Sequence, residues 1–257
     1  MQRIQPVTSA ANPLVKEVRR AIARGGLTAD GLCVAEGTHL LGEAFRSNCP
    51  VEVVLVSESA RIGVTARVVV IADSLFQSIA STETTQGVIA LVKPPEWTME
   101  RLFQGRSLVL VLDGVQDPGN AGAIVRAAEA FGATGVIFLK GTVSPWNPKT
   151  LRASAGSLFR VPFVTGVEIA AALEALRKHH TDMYSAMPFT GSQRIAADVD
   201  LTRTCAIIIG SEGRGVDAEL RAAAMEIAIP TVAVESLNAA VAASVLLYEA
   251  RRQRTGS

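Results

Sequence analysis

The chain has 257 residues, enough for two domains, with 49% hydrophobic and 19% charged residues, which excludes a predominantly disordered protein. Twenty-five basic against 24 acidic residues leave a net charge of +1, so nucleic-acid binding by bulk charge is excluded and any such contact must come from a local basic patch. Cys33, Cys49 and Cys205 are odd in number and far apart, without a CxxC pair. We therefore expect reduced thiols, no metal site and a cytoplasmic protein. The N-terminal MQRIQPVTSAANP has no apolar core of a secretory signal, and no apolar run approaches the roughly 18 residues that would suggest a membrane span.

Asn12-Pro13 opens the first expected helix, because Asn caps well and Pro suits a first turn. Leu14, Val15, Val18 and Ile22 carry it to Gly25-Gly26. Lys16, Arg19, Arg20 and Arg24 recur along it as a basic stripe or as an ordinary solvated face. A second helix is expected after Glu36-Gly37, carrying Leu40, Leu41, Ala44 and Phe45. Val51–Val56, Val68–Ile71 and Val88–Val92 are short apolar runs bounded by polar or turn residues and read as strands. Lys93-Pro94-Pro95-Glu96-Trp97 can continue neither a helix nor a central strand, so we place a domain boundary there, between residues 1–97 and 98–257. Beyond it, strands at Leu108–Leu112, Gly135–Leu139, Ala206–Ile209 and Ile227–Ile229 alternate with helices at Ala121–Phe131, Leu151–Leu158, Ile169–Lys178 and Leu237–Arg251. That alternation predicts an α/β domain with a mainly parallel sheet.

Three segments carry chemistry. In the first, Leu112-Asp113-Gly114-Val115-Gln116-Asp117-Pro118-Gly119-Asn120, a buried strand ends in a Gly-rich turn before a helix. That is where ligands bind in open α/β sheets. Asn120 could equally be a helix cap. Arg126 sits among Ala123, Ile124, Val125, Ala127 and Ala128, so it is either a solvated Arg or one that needs an anionic partner, phosphate being the natural one. The spacing Gly119-x-x-Gly122 is not GxGxxG, and GxxxxGK[ST] is absent, which argues against nicotinamide or nucleoside-triphosphate binding. In the second, Ile209-Gly210-Ser211-Glu212-Gly213-Arg214-Gly215, three glycines bend the backbone and let a ligand approach. In the third, Ile229-Pro230 leads to Ser236-Leu237-Asn238 at the start of a helix lined with Ala239, Ala240, Ala242, Ala243 and Ser244. Each alone has a bland alternative as a cap or tight loop.

In this order the segments resemble the three motifs of the SpoU (TrmH-like) family of the SPOUT superfamily. Asn120 to Arg126 resembles its first motif, Gly210-Ser211-Glu212-Gly213 its second, and Ile229-Pro230 through Ser236-Leu237-Asn238 its third. Asn12 to Lys16, Val34-Ala35-Glu36-Gly37, Thr85-Gln86-Gly87-Val88 and Lys149 to Arg160 also resemble that family. The resemblance implies a C-terminal catalytic domain with a deep trefoil knot, a small N-terminal α/β substrate-binding domain and a homodimer. It implies S-adenosylmethionine-dependent methylation of a ribose 2′-hydroxyl of RNA. Ribosomal RNA is favoured, including a guanosine of 23S rRNA; the alternatives are a tRNA substrate or a non-catalytic RNA- or ribosome-binding protein. By the same resemblance Gly210, Ile229 and Leu237 contact the cofactor, while Asn120, Arg126, Glu212, Ser236 and Asn238 surround the methyl-transfer site. The third segment departs from the family pattern: Thr231 stands where relatives usually carry Met, and Val232-Ala233-Val234 is one residue short and lacks glycine.

Overall fold

The computed structural model describes residues 5–191 and 194–255; Met1 to Ile4 of the segment read for a secretory signal lie outside them. Two compact units emerge, Met1–Glu96 with Ser144–Arg160, and Trp97–Val143 with Val161–Ser257. Ser144–Arg160, which the sequence reading grouped with the C-terminal half, thus packs within the first unit.

In the first unit, α1 (Pro13–Arg24) begins at Asn12, whose Oδ1 accepts from the Leu14 and Val15 amides, and ends at Gly25 in the left-handed region. Its apolar face meets a four-stranded sheet of order β1-β4-β2-β3, formed by β1 (Cys33–Glu36), β2 (Val51–Ser57), β3 (Val68–Ile71) and β4 (Val88–Val92). β4 runs antiparallel to both β1 and β2, and β3 parallel to β2. α2 (Thr38–Arg46) and the short α3 (Asp73–Gln77) complete the layer. Lys16, Arg19, Arg20 and Arg24 are exposed on α1, with Arg20 paired to Glu17 and Arg19 donating to Ser78.

Pro148–Ala153, here α5, packs on β1. The expected helix Leu151–Leu158 is broken, because Ala155 and Gly156 take positive φ and a separate 3-10 turn follows at Ser157–Phe159. Arg152 donates to Ser81 Oγ (2.9 Å) and lies 3.9 Å from the buried Glu36, which the Ser81 amide (2.8 Å) and the hydroxyls of Ser81 and Thr82 also satisfy. Arg160 reaches Glu43 at 2.5 Å. Glu43 is held below the usual carboxylate range, first by its hydrogen bond to Arg46, then by Arg160.

The second unit is built on a seven-stranded sheet of order β7-β6-β5-β10-β8-β11-β9, in which every pairing is parallel. Its strands are β5 (Leu108–Asp113), β6 (Gly135–Leu139), β7 (Phe163–Val167), β8 (Asp182–Met187), β9 (Arg194–Ile195), β10 (Cys205–Gly210) and β11 (Met225–Ala228). β5, β6 and β10 have a helix layer on each face, which is why they read as unbroken apolar runs. On one face α6 (Ile169–Lys178) and α7 (Ala218–Ala223) bury Leu173, Leu176 and Leu220 against Val109, Val111, Ile137 and Ile208. On the other, α4 (Pro118–Phe131) packs against β6, and α8 (Ala239–Thr255) against both α4 and β10.

α4 and α8 run parallel. Asn238 meets Asn120 at their first turns, and the Phe131 and Tyr248 rings meet edge-on at 5.9 Å farther along. At the far end of α8, Arg254 donates to the carbonyls of Leu201 (2.8 Å), Arg106 (2.8 Å), Ser107 (3.0 Å) and Arg203 (2.5 Å). Gln253 exchanges hydrogen bonds with Val199 and Leu201. The three cysteines are free and buried. No helix among the described residues is long and apolar enough to cross a membrane.

Candidate active site

The strand order reverses between β5 and β10, which are adjacent in the sheet yet far apart in sequence, and Gly210 at the end of β10 lies opposite Asp113 at the end of β5. Such a switch point opens a crevice beyond the carboxyl ends of the strands. Glycine is required at 210, since an added Cβ would stand 2.2 Å from the Gly215 carbonyl carbon. The chain then doubles back: the Gly215 amide donates to the Ser211 carbonyl (2.9 Å), and the Arg214 amide to Ser211 Oγ (3.2 Å). Gly215 takes φ +72° to close this turn.

Two acceptors hold the turn in place. Asp113, 1% exposed, accepts from Arg214 Nη2 (3.0 Å) and from the Asp217 amide (2.7 Å). Glu212 accepts from Asn120 Nδ2, and Asn120 Oδ1 in turn accepts from Asn238 Nδ2 at 3.0 Å. One residue from each motif is thereby linked in a chain, Glu212–Asn120–Asn238. Asn120 is not the cap of α4. Asp117 is, accepting from the Asn120 amide at 2.8 Å, and this frees the Asn120 side chain for the site. Asn238 does both jobs, since its Oδ1 accepts from the Ala240 (2.9 Å) and Val241 (3.3 Å) amides at the start of α8.

Beside this chain lies a cavity of about 450 Å³. Six of the residues singled out in the sequence line it: Gly210, Glu212, Ile229, Ser236, Leu237 and Asn238. Asn120 does not line it and reaches it through Glu212 and Asn238. Arg126 is not in its wall. It stands on the exposed face of α4, without a hydrogen bond or ion pair among the described residues. Of its five small or apolar neighbours, Ile124, Val125 and Ala128 turn to the buried side of the helix, while Ala123 and Ala127 are only half-buried. The desolvation that would force a partner on Arg126 is therefore absent.

Sequence reasoning missed Met187, Pro188 and Phe189 at and just beyond the end of β8, and it gave no site role to Ala242 and Leu246 of α8; all five line the cavity. β8 reads Asp-Met-Tyr-Ser-Ala-Met, too mixed to stand out as a strand. The departing third segment folds as a tight loop, with Thr231 Oγ1 donating to the Val234 carbonyl (2.7 Å) and Val232 fully exposed. No cluster of three or more His, Cys, Asp or Glu among the described residues is arranged to hold a metal.

Residues 107–248 match the SpoU rRNA Methylase family, and residues 12–90 an MRM3-like substrate binding domain. The chain belongs to the SpoU rRNA methylase family. It is 33% identical to an uncharacterized tRNA/rRNA methyltransferase of Synechocystis, over 98% of this chain and 95% of that protein. It is 32% identical to the 23S rRNA (guanosine(2553)-2′-O)-methyltransferase RlmP of Bacillus subtilis, over 96% and 100%. Among solved structures it is similar to the SpoU methyltransferase AviRb of Streptomyces viridochromogenes in complex with the cofactor AdoMet. That match has a TM-score of 0.83 and 26% identity, and covers 96% of this chain and 99% of that one. The stretch matched to the SpoU methylase family, residues 107–248, contains the switch-point crevice just described.

Proposed function

We propose that this SpoU methylase transfers a methyl group from S-adenosylmethionine to a ribose 2′-hydroxyl of RNA, with ribosomal RNA as the substrate. The observation that carries this reading is the Glu212–Asn120–Asn238 chain on the rim of the cavity, joining all three motifs. The cavity fits the cofactor. Its volume is in the range of small-molecule sites, roughly 300–1,000 Å³. Leu237, Leu246, Met187 and Phe189 give an apolar wall for an adenine ring, and the irregular backbone around Gly210 and Ile229 offers amides and carbonyls to its polar edge. When bound, S-adenosylmethionine supplies an electrophilic methyl on a sulfonium. Such a transfer asks the protein mainly for in-line positioning.

Each residue then has a role. Gly210, Ile229 and Leu237 hold the cofactor. Asn120 and Asn238 fix the Glu212 carboxylate, and the Ser236 hydroxyl, which has no side-chain hydrogen bond among the described residues, faces the ribose. Arg126 grips the phosphate next to the target and aligns its 2′-hydroxyl, because an Arg stays protonated and is a poor base. Residues 1–97 supply RNA affinity, with the exposed α1 stripe as the first candidate surface, and residues 98–257 carry the chemistry.

Ribosomal RNA is preferred to tRNA because RlmP, which is named for 23S rRNA, matches over its whole length. A homodimer through α4 and α8 accords with the exposed apolar row Val241, Val245 and Tyr248 on α8. A trefoil knot in the C-terminal unit and a cytoplasmic location complete the reading. Mapping 2′-O-methyl positions in ribosomal RNA from cells with and without the protein is the deciding experiment. An unchanged map, together with no thermal stabilisation by S-adenosylmethionine, would refute the assignment. Light scattering tests the dimer: Tyr248→Asp should shift it to monomer, and a monomeric wild type would sink that proposal.

A further inference from the structure

Arg214 is absorbed by none of the roles above, yet it lines the cavity between two glycines, Gly213 and Gly215. Its side chain is 62% exposed, while its partner Asp113 is 2% exposed. That asymmetry is informative. One edge of the guanidinium is fixed by Nη2 donating to Asp113 Oδ1 at 3.0 Å, and the same carboxylate takes the Asp217 amide on its other oxygen. The backbone on the near side is fixed as well, by the Arg214 amide on Ser211 Oγ. Gly114 (φ +68°) lies under the guanidinium, where a Cβ would stand 3.2 Å from Nη2. Among the described residues, Nε and Nη1 have no protein acceptor.

An exposed Arg ordinarily sweeps many rotamers, and ordering it on binding costs about 0.5–1.5 kcal/mol. Here a buried carboxylate has already restricted it, leaving unpaired donors at the wall of a ligand cavity. Guanidinium edges of this kind match planar or tetrahedral oxyanions. Two acids also line the cavity, Glu212 and Glu235. Glu212 already accepts from Asn120, and Glu235 is exposed.

We propose that Arg214, pre-set by the buried Asp113, is a ligand-positioning residue that receives an anionic oxygen pair. The pair is either the carboxylate at the amino-acid end of the cofactor or an RNA phosphate. The proposal rests on the methyltransferase reading above. Asp113 acts through Arg214 and is a positioning residue only.

The test titrates the full-length wild type and Arg214→Met, Arg214→Lys and Asp113→Asn variants with three probes, with thermal unfolding recorded alongside. The probes are S-adenosylhomocysteine, 5′-methylthioadenosine (which lacks the amino-acid end) and in vitro transcribed 23S rRNA at several salt concentrations. If the carboxylate is the ligand, Arg214→Met weakens S-adenosylhomocysteine by roughly 10–200-fold, the range for a charge-assisted contact, and leaves methylthioadenosine unchanged. If a phosphate is the ligand, both small molecules bind as before. RNA binding then weakens, and its log–log salt slope flattens by about 0.7–0.9.

In either case Arg214→Lys restores part of the loss, and Asp113→Asn moves the same probe in the same direction. An equal loss for S-adenosylhomocysteine and methylthioadenosine would mean that Arg214 merely shapes the loop, and would overturn the proposal. So would Arg214→Met binding all three probes like wild type. A wild type that binds none of them refutes the methyltransferase reading itself, and this assignment with it.

Discussion

Gly210→Ala should disable the site while Gly213→Ala, three residues away, should not. At 210 the added methyl would lie 2.2 Å from the Gly215 carbonyl carbon, 2.4 Å from its oxygen and 2.4 Å from the Val216 nitrogen, whereas ordinary contact begins at 3.4 Å. The turn must retreat by the difference, 3.4 − 2.2, or about 1.2 Å. The obstacle is backbone held by the Ser211–Gly215 bridge, not the end of a flexible side chain. Overpacking of this kind costs about 1–3 kcal/mol. At roughly 2–4 °C per kcal/mol for a domain of 150–250 residues, the upper end predicts a Tm lower by about 6–12 °C.

The displaced turn carries Glu212 and Arg214, and a misplacement near 1 Å costs catalysis on the order of 100-fold. At 213 a Cβ meets nothing within 4 Å, and Gly213 is not among the glycines with positive φ. The alanine variant there should stay within about 0.5 kcal/mol of wild type. Differential scanning calorimetry and S-adenosylmethionine titration of both variants are the assays. A Gly210→Ala protein with wild-type Tm and affinity would refute the close-approach argument. Equal damage in the two variants would mean that generic loop stiffness, not the contact with Gly215, sets the outcome.

Arg126→Ala should leave the Tm within about 1–2 °C of wild type, since no described residue depends on it. It should slow single-turnover RNA methylation by roughly 10–200-fold with cofactor affinity intact, and Arg126→Lys should recover only part; wild-type rates in the Ala variant would remove Arg126 from the site. Arg254→Ala deprives four backbone carbonyls of a donor. It should cost about 2–4 kcal/mol in urea unfolding, less than the sum of separate charged hydrogen bonds because the four share one side chain; a loss under 1 kcal/mol would show that water replaces it. Glu249 is held below the usual carboxylate range, first by its hydrogen bond to Arg252 and then by Gln253. A depressed folded-state pKa gives stability that is full above the unfolded value of about 4.3 and lost as pH falls through the folded one. Glu249→Gln should therefore flatten the acid limb of Tm against pH below about pH 4.3, and an unchanged limb would count against the pairing.

Much of the architecture was legible in the sequence for a simple reason. β5, β6 and β10 are buried on both faces and appear as continuous apolar runs, and Asn12, Gly25 and Gly132 punctuate helices by well-understood backbone preferences. Elements that depend on tertiary context were hidden. β8 and β9 are short or mixed in polarity, and α7 is a six-residue helix whose cap, Asp217, gives only a local signal. The assignment of Ser144–Arg160 to the first unit depends on contacts such as Arg152 with Glu36 and Arg160 with Glu43, which no local pattern announces. At the site, glycines and caps flagged the three motifs. The linkage of Asn120 to Glu212 and Asn238 spans 92 and 118 residues of chain and becomes visible only in three dimensions. Arg126 shows the converse: its apolar neighbours in sequence left open a solvated Arg or one with an anionic partner, and helical geometry places its side chain in solvent.

The position of β10 between β5 and β8 also bears on how the protein reaches its native state. Leu108 pairs with Cys205, a separation of 205 − 108 = 97 residues, and β10 pairs in parallel with both neighbours. Until it inserts, β5 and β8 each present an unsatisfied edge, and the crevice that holds Gly210 and Asp113 does not exist. Pairings of this span close large loops before they are rewarded, so folding should be slow and the open edges exposed to other chains meanwhile. Ligand competence should consequently lag behind helix formation during refolding. Misassembly should be worst at high protein concentration and relieved by dilution or cooling, because the vulnerable species is the sheet waiting for its central strand.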